Sequence, residues 1–274
     1  MKKQSQRNRK YSRAVLDYFY NEKLDRYFEF DEHILTYDPN YLQNSDGKPP
    51  LEPVLNDLVR LHKIIRERKI FNVLEFGTGY STIIMADAIS KNKIDFETLK
   101  EKPAIRNTTP FQIHTVDTST KWIKHTKEIF PKKLIKYVSF HVSDVHIGKF
   151  NGRLCHFYDK LPNIVPDFIY LDGPSPEHVK GSINGLDFKL FDRTVLSADL
   201  LLMESTFLPG TFILIDGRTN NARFLKNNFQ RDYEYIHDED IHTFELIESP
   251  LGKYNKDYLE YCLGKSYFSK LSNF

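Results

Sequence analysis

The chain of 274 residues is poor in the features that would place it in several protein classes. It has only two cysteines, Cys155 and Cys262, which are too few and too far apart in sequence for a disulfide framework or a zinc cluster. The net charge of +2 implies no strong electrostatic field toward nucleic acid. No apolar run approaches the roughly 20 residues that cross a bilayer. These absences predict a cytoplasmic protein with no membrane partner.

The N-terminal region departs from this balanced composition. Its basic residues are Lys2, Lys3, Arg7, Arg9, Lys10 and Arg13. We interpret them as part of a solvated arm rather than as a nucleic-acid contact. Residues 11–37 interleave aromatic and charged residues, which predicts an amphipathic helix packed on a larger body. Its aromatic residues, such as Tyr18, Tyr20, Phe28 and Phe30, would cover a site or mediate a homodimer, and the sequence does not choose between the two.

Residues 73–82, Val-Leu-Glu-Phe-Gly-Thr-Gly-Tyr-Ser-Thr, are the most informative stretch of the chain. An apolar strand ends near a carboxylate, two glycines follow, and an apolar helical run begins after them. Without a Cβ, Gly77 and Gly79 permit unusual backbone angles and a close approach of a ligand. The start of the next helix offers unpaired N–H groups. The pattern therefore predicts a turn that holds a small polar cofactor.

Two classes of cofactor use such a turn. A dinucleotide site prefers a third glycine three residues after the second, but position 82 is Thr. Glu75 would also place negative charge beside a diphosphate, and it suits a cationic ligand better. An NAD(P)-dependent oxidoreductase on a Rossmann-like sheet remains an alternative, and it predicts a parallel last strand.

The motif resembles that of the class I S-adenosylmethionine-dependent methyltransferases, in which an acidic residue and x-Gly-x-Gly close the first strand. The resemblance implies that S-adenosyl-L-methionine lies over Gly77, Thr78 and Gly79, with Ser81 at the helix start and Glu75 near the amino end of the cofactor. It also implies a small-molecule acceptor. The family motifs extend over roughly residues 55–250.

Four later segments, at 111–117, 138–144, 167–172 and 211–216, are apolar runs that end in aspartate. Parallel strands place such ends at the edge of the sheet where ligands bind. The segments 233–236 and 243–247 predict a hairpin. The resemblance implies an α/β Rossmann-like sheet of seven strands in the order 3-2-1-4-5-7-6, with an antiparallel last strand and helices on both faces. We expect an N-terminal helical extension or cap (1–53), a cofactor-binding domain (54–250) with a polar insertion at 91–110, and a C-terminal tail (251–274).

Several of these strand ends have expected roles. In the resembled family the residue matching Asp117 holds the cofactor ribose, and a carboxylate can accept hydrogen bonds from two vicinal hydroxyls. An N-cap for the next helix is the alternative, for which Ser119 or Thr120 would serve better. Asp144, with its neighbour Ser143, matches positions that read the adenine amino group. A simple turn aspartate is nearly as good an interpretation of Asp144.

Asp172 lies in Leu-Asp-Gly-Pro-Ser-Pro and resembles the acidic residue that faces the methyl-transfer centre in small-molecule O-methyltransferases. In the catechol-type members, this aspartate and an Asp-Asn pair after the next strand bind Mg²⁺, a cation that prefers oxygen ligands. Here the pair is Asp216-Gly217, so the second aspartate is present and the asparagine is not.

Methyl transfer needs alignment of the acceptor and a base for a hydroxyl proton. We expect His178 to be that base, because a neutral imidazole is available near pH 7. A surface histidine is the alternative. A non-catalytic binding subunit with the same fold also remains open.

Overall fold

The computed structural model describes residues 11–31, 34–36, 54–105, 107–190 and 193–272. The basic residues before position 11 and residues 37–53 of the expected N-terminal extension lie outside the described residues. Ten strands form two sheets in the body of the protein, and a short N-terminal hairpin consists of β1 (Glu29–Asp31) and β2 (Ile34–Thr36). None of the helices in the described ranges is both long enough and apolar enough to cross a membrane.

The central sheet contains seven strands. They are β3 (Asn72–Phe76), β4 (Gln112–Asp117), β5 (Val138–Val142), β8 (Phe168–Leu171), β10 (Phe212–Asp216), β11 (Tyr233–Asp238) and β12 (Ile241–Leu246). Their spatial order is β5-β4-β3-β8-β10-β12-β11, which is 3-2-1-4-5-7-6 when these seven strands are counted along the chain. The strands β5, β4, β3, β8 and β10 pair in parallel. The last strand of the chain, β12, runs antiparallel to both of its neighbours, β10 and β11. The expected sheet and its reversed last strand are confirmed.

Successive side chains along a strand point to opposite faces of the sheet, so they pack into two different cores. Leu74 and Phe76 of β3 pack into one cluster together with Leu200 and Leu225. Val73 packs into the other, with Ile65 of the helix before the strand. Because both faces of the sheet are covered, the central strand β3 is buried along its whole length.

Eight helices are described. They are α1 (Arg13–Asn21), α2 (Leu55–Glu67), α3 (Tyr80–Glu97), α4 (Thr120–Ile129), α5 (Asp199–Met203), α6 (Thr219–Lys226), α7 (Lys253–Cys262) and α8 (Lys265–Leu271). Helix α3 continues to Glu97, so the first third of the region expected as a polar insertion is helical. The C-terminal helices are packed on the body, since Leu259 and Tyr267 are buried.

Helix α1 is fixed to the body by a buried polar network. Asp87 of α3 is 1% exposed and accepts hydrogen bonds from Arg26 and Tyr27, both at 2.5 Å. His62 of α2 lies 3.2 Å from the same carboxylate, and its other ring nitrogen lies 2.8 Å from the hydroxyl of Tyr18. The N-terminal segment therefore contacts α2 and α3 through paired polar groups as well as through apolar packing.

A small second sheet takes the place of the helix that usually connects parallel strands. Strands β6 (Val145–Phe150) and β7 (Arg153–Tyr158) form an antiparallel hairpin between β5 and β8. Strand β9 (Val179–Lys180) then pairs with β6 in parallel. The small sheet was not predicted from the sequence. Its strand β7 ends at Tyr158, which lines the cavity at the carboxyl edge of the central sheet.

Candidate functional site

The turn between β3 and α3 is held against the neighbouring strand. Gly77 has φ +110°, a backbone conformation that favours glycine. The N–H of Gly77 donates to the carbonyl oxygen of Val116 at 2.8 Å, and the carbonyl oxygen of Gly77 accepts a hydrogen bond from the hydroxyl of Thr115. These bonds fix the turn to β4, so the backbone after β3 is exposed at the carboxyl edge of the sheet in one defined position.

A cavity of about 380 Å³ opens at this edge. The turns after β3, β4 and β8 form it, together with the start of α4 and the end of β7. Its lining residues are Gly77, Thr78, Asp117, Thr118, Ser119, Lys121, Trp122, Tyr158, Asp172, Gly173, Pro174, Ser175 and His178. The volume lies in the range of small-molecule sites, roughly 300–1,000 Å³. The cavity is therefore large enough for a nucleoside-sized ligand.

Asp117 stands at the end of β4 and borders the cavity. Burial raises the pKa of its carboxyl to about 6, against the lowering effect of hydrogen bonds from the backbone N–H groups of Ser119, Thr118 and Thr78. The bond from Ser119 measures 2.8 Å to Oδ1. Ser119 is the N-cap of α4, since its hydroxyl accepts the N–H of Trp122 at 3.1 Å. Asp117 is therefore not needed as that cap, and its carboxyl borders the cavity.

The turn after β8 packs directly on the turn after β3. A Cβ added to Gly173 would lie 3.1 Å from the backbone of Gly77 and of Phe76 and from the hydroxyl of Tyr158. Only a residue without a side chain allows this contact. Asp172, one residue earlier, therefore borders the cavity beside Gly77.

The carboxyl of Asp172 lies in the open mouth of the cavity, where its side chain is 54% exposed. Desolvation by the surrounding protein raises the pKa of Asp172 to about 6, and the charge of Arg218 lowers it. Arg218 donates to the carbonyl oxygens of Asp172 and of Pro174, the latter at 3.2 Å. The guanidinium thus holds the turn that carries the carboxylate.

His178 borders the same cavity from the short helical turn after Pro174. Its Nδ1 lies 2.8 Å from the hydroxyl oxygen of Thr118. When Nδ1 carries the proton it donates to Thr118, and Nε2 keeps its lone pair. The arrangement can therefore present a histidine as a proton acceptor in the cavity that Asp172 also borders.

Three residues of the expected cofactor turn lie beside the cavity rather than on its lining. The carboxyl of Glu75 is 1% exposed, and it accepts hydrogen bonds from Ser81 at 2.5 Å and Thr82 at 2.7 Å. Burial raises the pKa of Glu75 to about 8. Gly79 is the N-cap of α3. In the described structure, Glu75 and Ser81 connect the strand to the helix that follows it.

Ser143 and Asp144 are also not among the residues that line the cavity. The hydroxyl of Ser143 accepts the N–H of Lys160 at 2.9 Å and donates to the carbonyl oxygen of Asp144 at 3.0 Å. Asp144 pairs with Lys180 at 2.6 Å, and this hydrogen bond lowers the pKa of the carboxyl. Both side chains therefore have partners within the protein that the sequence did not reveal.

Asp216 ends β10, as expected, but its carboxylate is paired with a cation. Arg60 Nη1 lies 3.2 Å from Asp216 Oδ2, and the side chain of Asp216 is 16% exposed. Burial and the charge of Asp57 raise the pKa of Asp216 to about 6, while Arg60 lowers it. No group of three or more His, Cys, Asp or Glu side chains in the described ranges could hold a metal ion. The residues present do not fit the Mg²⁺ site implied by the resemblance.

The sequence analysis missed two aromatic residues of the site. Trp122, in the first turn of α4, and Tyr158, at the end of β7, both line the cavity. The ring of Tyr158 packs on Phe76 at 5.3 Å between centroids, beneath the turn of Gly77. The position of Trp122, five residues after the strand-end Asp117 and three after the helix-capping Ser119, is the signal that could have identified it.

No protein-family model matches this chain, and the search of curated proteins found no match. Among solved structures it is similar to the O-methyltransferase TomG of Streptomyces achromogenes, with S-adenosylmethionine bound. That likeness has 14% identity over 88% of this chain and 92% of the other, and a TM-score of 0.44. A methyltransferase of Podospora anserina, bound to S-adenosylhomocysteine, is 12% identical over 88% and 91%, also with a TM-score of 0.44. An O-methyltransferase of Bacillus cereus is 11% identical over 87% and 92%, with a TM-score of 0.42. The function proposed below rests on the geometry of this chain.

Proposed function

We propose that the protein is an S-adenosylmethionine-dependent methyltransferase that methylates an oxygen of a small polar molecule. One observation carries the proposal: Gly77 and Asp117 border one cavity at the carboxyl edge of a sheet with the order 3-2-1-4-5-7-6. Ligands of open α/β sheets bind at this edge, where the strand order reverses.

The lining fits the parts of S-adenosylmethionine. Gly77 brings backbone within reach of the methionine part, and Asp117 offers a carboxylate for the two ribose hydroxyls. Trp122 adds an aromatic surface that can cover the adenine. When bound, the cofactor supplies a methyl group activated by a positively charged sulfur.

The residues around Asp172 provide the remaining requirements. The acceptor oxygen forms a bond to the methyl carbon as the carbon–sulfur bond breaks, and its proton must leave at the same stage. His178 Nε2 can take that proton while Nδ1 donates to Thr118. Asp172 borders the same space and places negative charge near the transferring centre. Two proton acceptors at this point support an oxygen acceptor.

The alternatives make different predictions. An oxidoreductase on a dinucleotide sheet predicts a parallel last strand, whereas β12 is antiparallel to β10 over Phe212–Asp216. A non-catalytic binding subunit predicts cofactor binding without transfer to any acceptor. A screen of hydroxylated metabolites with labelled S-adenosylmethionine, with and without Mg²⁺, separates that alternative from an active enzyme.

The direct test is titration calorimetry with S-adenosylhomocysteine on the wild type, Asp117→Asn and Asp144→Asn. We expect micromolar binding by the wild type and by Asp144→Asn, since Asp144 does not line the cavity and pairs with Lys180. Asp117→Asn should bind about 10- to 100-fold more weakly, because a hydrogen bond to a charged group contributes roughly 1.5–3 kcal/mol. The single tryptophan, Trp122, provides a second readout through its fluorescence. Absence of binding by the wild type at high micromolar ligand would contradict the proposal.

A further inference from the structure

Three carboxylates and two guanidinium groups meet at the carboxyl ends of β8 and β10. Arg60 of α2 bridges two of the carboxylates: its Nη1 lies 3.1 Å from Asp57 Oδ1 and 3.2 Å from Asp216 Oδ2. Its side chain is 27% exposed and that of Asp216 is 16% exposed. A cation that joins carboxylates from two elements is the arrangement expected of a bound metal ion, but here the cation belongs to the protein.

Arg218 supplies positive charge to the third carboxylate. Its Nε lies 3.9 Å from Asp172 Oδ1, while its two terminal nitrogens donate to the carbonyl oxygens of Asp172 and Pro174. All three nitrogens of the Arg218 guanidinium therefore face the turn that carries Asp172. A planar fork with five donors suits this role, which a lysine could not fill in the same way.

Gly217 stands between Asp216 and Arg218 and offers no side-chain ligand. Its φ is +63°, and a Cβ built on it has no atom within 4 Å. Space for an oxygen-bearing side chain is therefore present, but the chain leaves it empty. Mg²⁺ needs near-octahedral oxygen ligands, and this edge presents two carboxylates that already face arginines.

We propose that Arg60 and Arg218 take the place of a divalent cation beside Asp172 and Asp216, so that the site operates without a metal. The inference rests on the proposed function, because it assigns a role to charges beside the methyl-transfer centre. The two guanidinium groups then balance Asp172 and Asp216 with charges that no chelator can remove.

The test is a titration of the full chain with Mn²⁺, followed by the electron paramagnetic resonance signal of the free ion. The wild type and Asp216→Asn should bind Mn²⁺ equally weakly, because Asp216 is not a metal ligand. Binding by the wild type with a Kd below about 100 μM that Asp216→Asn removes would overturn the proposal.

A gain-of-binding variant tests whether the arginine occupies the position of a cation. Gly217→Asn supplies an oxygen ligand, and asparagine tolerates positive φ better than most residues. Combined with Arg60→Met, it should bind Mn²⁺ at least tenfold more tightly than the wild type. The matched control combines Gly217→Asn with Lys63→Met, which removes a positive charge from an exposed position of the same helix. Equal binding by the two double variants, once both are shown to unfold cooperatively, would overturn the proposal.

Calorimetry with S-adenosylhomocysteine on the same proteins keeps this inference separate from the proposed function. If the wild type does not bind S-adenosylhomocysteine, the methyltransferase assignment is contradicted, whatever the Mn²⁺ result. Binding of S-adenosylhomocysteine together with an Asp216-dependent Mn²⁺ site would retain the methyltransferase assignment and remove the metal-free one.

Discussion

The hydroxyl of Thr118 lies 2.8 Å from Nδ1 of His178 and so connects the turn after β4 with the turn after β8. Both residues border the cavity. The bond fixes one nitrogen of the imidazole and leaves the other for the acceptor. Thr118 directly follows Asp117 in the chain. The bond therefore brings His178, the expected base, close to Asp117, the carboxylate expected to hold the ribose.

Replacement of His178 should affect transfer and not cofactor binding. We expect His178→Ala to lower the rate of methyl transfer to a hydroxyl acceptor by about 10²- to 10⁴-fold, the usual contribution of a general base. The dissociation constant for S-adenosylhomocysteine should change by less than about threefold. The control is His146→Ala, which removes an exposed histidine paired with Asp159. An unchanged transfer rate in His178→Ala would show that another group takes the proton.

Binding of S-adenosylhomocysteine should depend on pH through Asp117. The pKa of this carboxyl is raised to about 6 by burial, and the ionised form is the one that accepts bonds from both ribose hydroxyls. The affinity should therefore fall about tenfold between pH 7 and pH 5, because the ionised fraction of a carboxyl with a pKa of about 6 falls about tenfold over this range. Calorimetry on Asp117→Asn should show a weaker affinity that no longer varies over this range. The same slope in both proteins would assign the dependence to a different group.

Stability should fall as pH rises because of Glu75. Burial raises its pKa to about 8 in the folded protein, so the folded state holds a proton that the unfolded chain releases near its ordinary pKa. The contribution is fully present below the unfolded pKa and is lost as pH rises through about 8, at up to ~1.4 kcal/mol per pH unit. Thermal unfolding should show this decline in the wild type and a smaller one in Glu75→Gln. Glu97→Gln, at an exposed position paired with Lys93, should behave as the wild type does; a Glu75→Gln curve parallel to the wild type would contradict the prediction.

The two glycines at 79 and 173 should respond differently to alanine. A Cβ at Gly79 meets no atom within 4 Å and its backbone is extended, whereas a Cβ at Gly173 meets Gly77 and Phe76 at 3.1 Å. Gly79→Ala should therefore unfold within about 0.5 kcal/mol of the wild type. Gly173→Ala should be destabilised by about 1–3 kcal/mol, the usual cost of overpacking, and should bind S-adenosylhomocysteine more weakly. Chemical denaturation measures both; an equal loss in the two variants would contradict the packing argument.

Asp87 should hold the N-terminal segment on the body. Burial alone would raise its pKa, but hydrogen bonds from His62, Lys91 and Tyr27 hold the pKa of Asp87 well below its usual range. Asp87→Asn should destabilise the protein by about 1–3 kcal/mol, because it removes the charged acceptor that the buried His62 and the partly buried Arg26 and Tyr27 share. Limited proteolysis should then cut residues 11–31 faster. The control, Asp17→Asn, changes an exposed residue of α1 and should leave the cleavage rate unchanged.

The sequence predicted the central sheet well because its signals are local. The parallel strands are rich in apolar residues, and Asp117, Asp172 and Asp216 come directly after or at the ends of three of them. Parallel strands bring such ends to one edge whatever the details of the connections. For this reason the position of Asp117 beside the turn of Gly77 could be anticipated without coordinates.

The site residues depend on partners that are distant in sequence. The ion pair of Asp144 with Lys180 spans 36 positions, and that of Asp216 with Arg60 spans 156. Their carboxylates look available in the sequence, and only the folded chain shows the cations beside them. Glu75 differs, since its partners Ser81 and Thr82 are near, but either a ligand or the protein itself could satisfy its oxygens.

The hairpin of β6 and β7 carried a signal that the analysis did not use. Asn151 and Gly152 lie between the two strands, and Asn-Gly is the strongest short-range indication of a hairpin. The expectation of a helix between parallel strands masked it. Tyr158, at the end of this hairpin, was missed as a cavity residue for the same reason.

The loop that bears His178 contacts the small second sheet as well as the turn after β4. Val179 and Lys180 pair with Val145 and His146 of β6. The position of the His178 imidazole at the cavity therefore depends on this small sheet, which is separate from the central sheet. Substitutions in the small second sheet are therefore expected to shift the His178 side of the cavity and to leave the turns of Gly77 and Asp117 in place. Under the proposed function, the position of the base could then change without a change in the cofactor-binding residues.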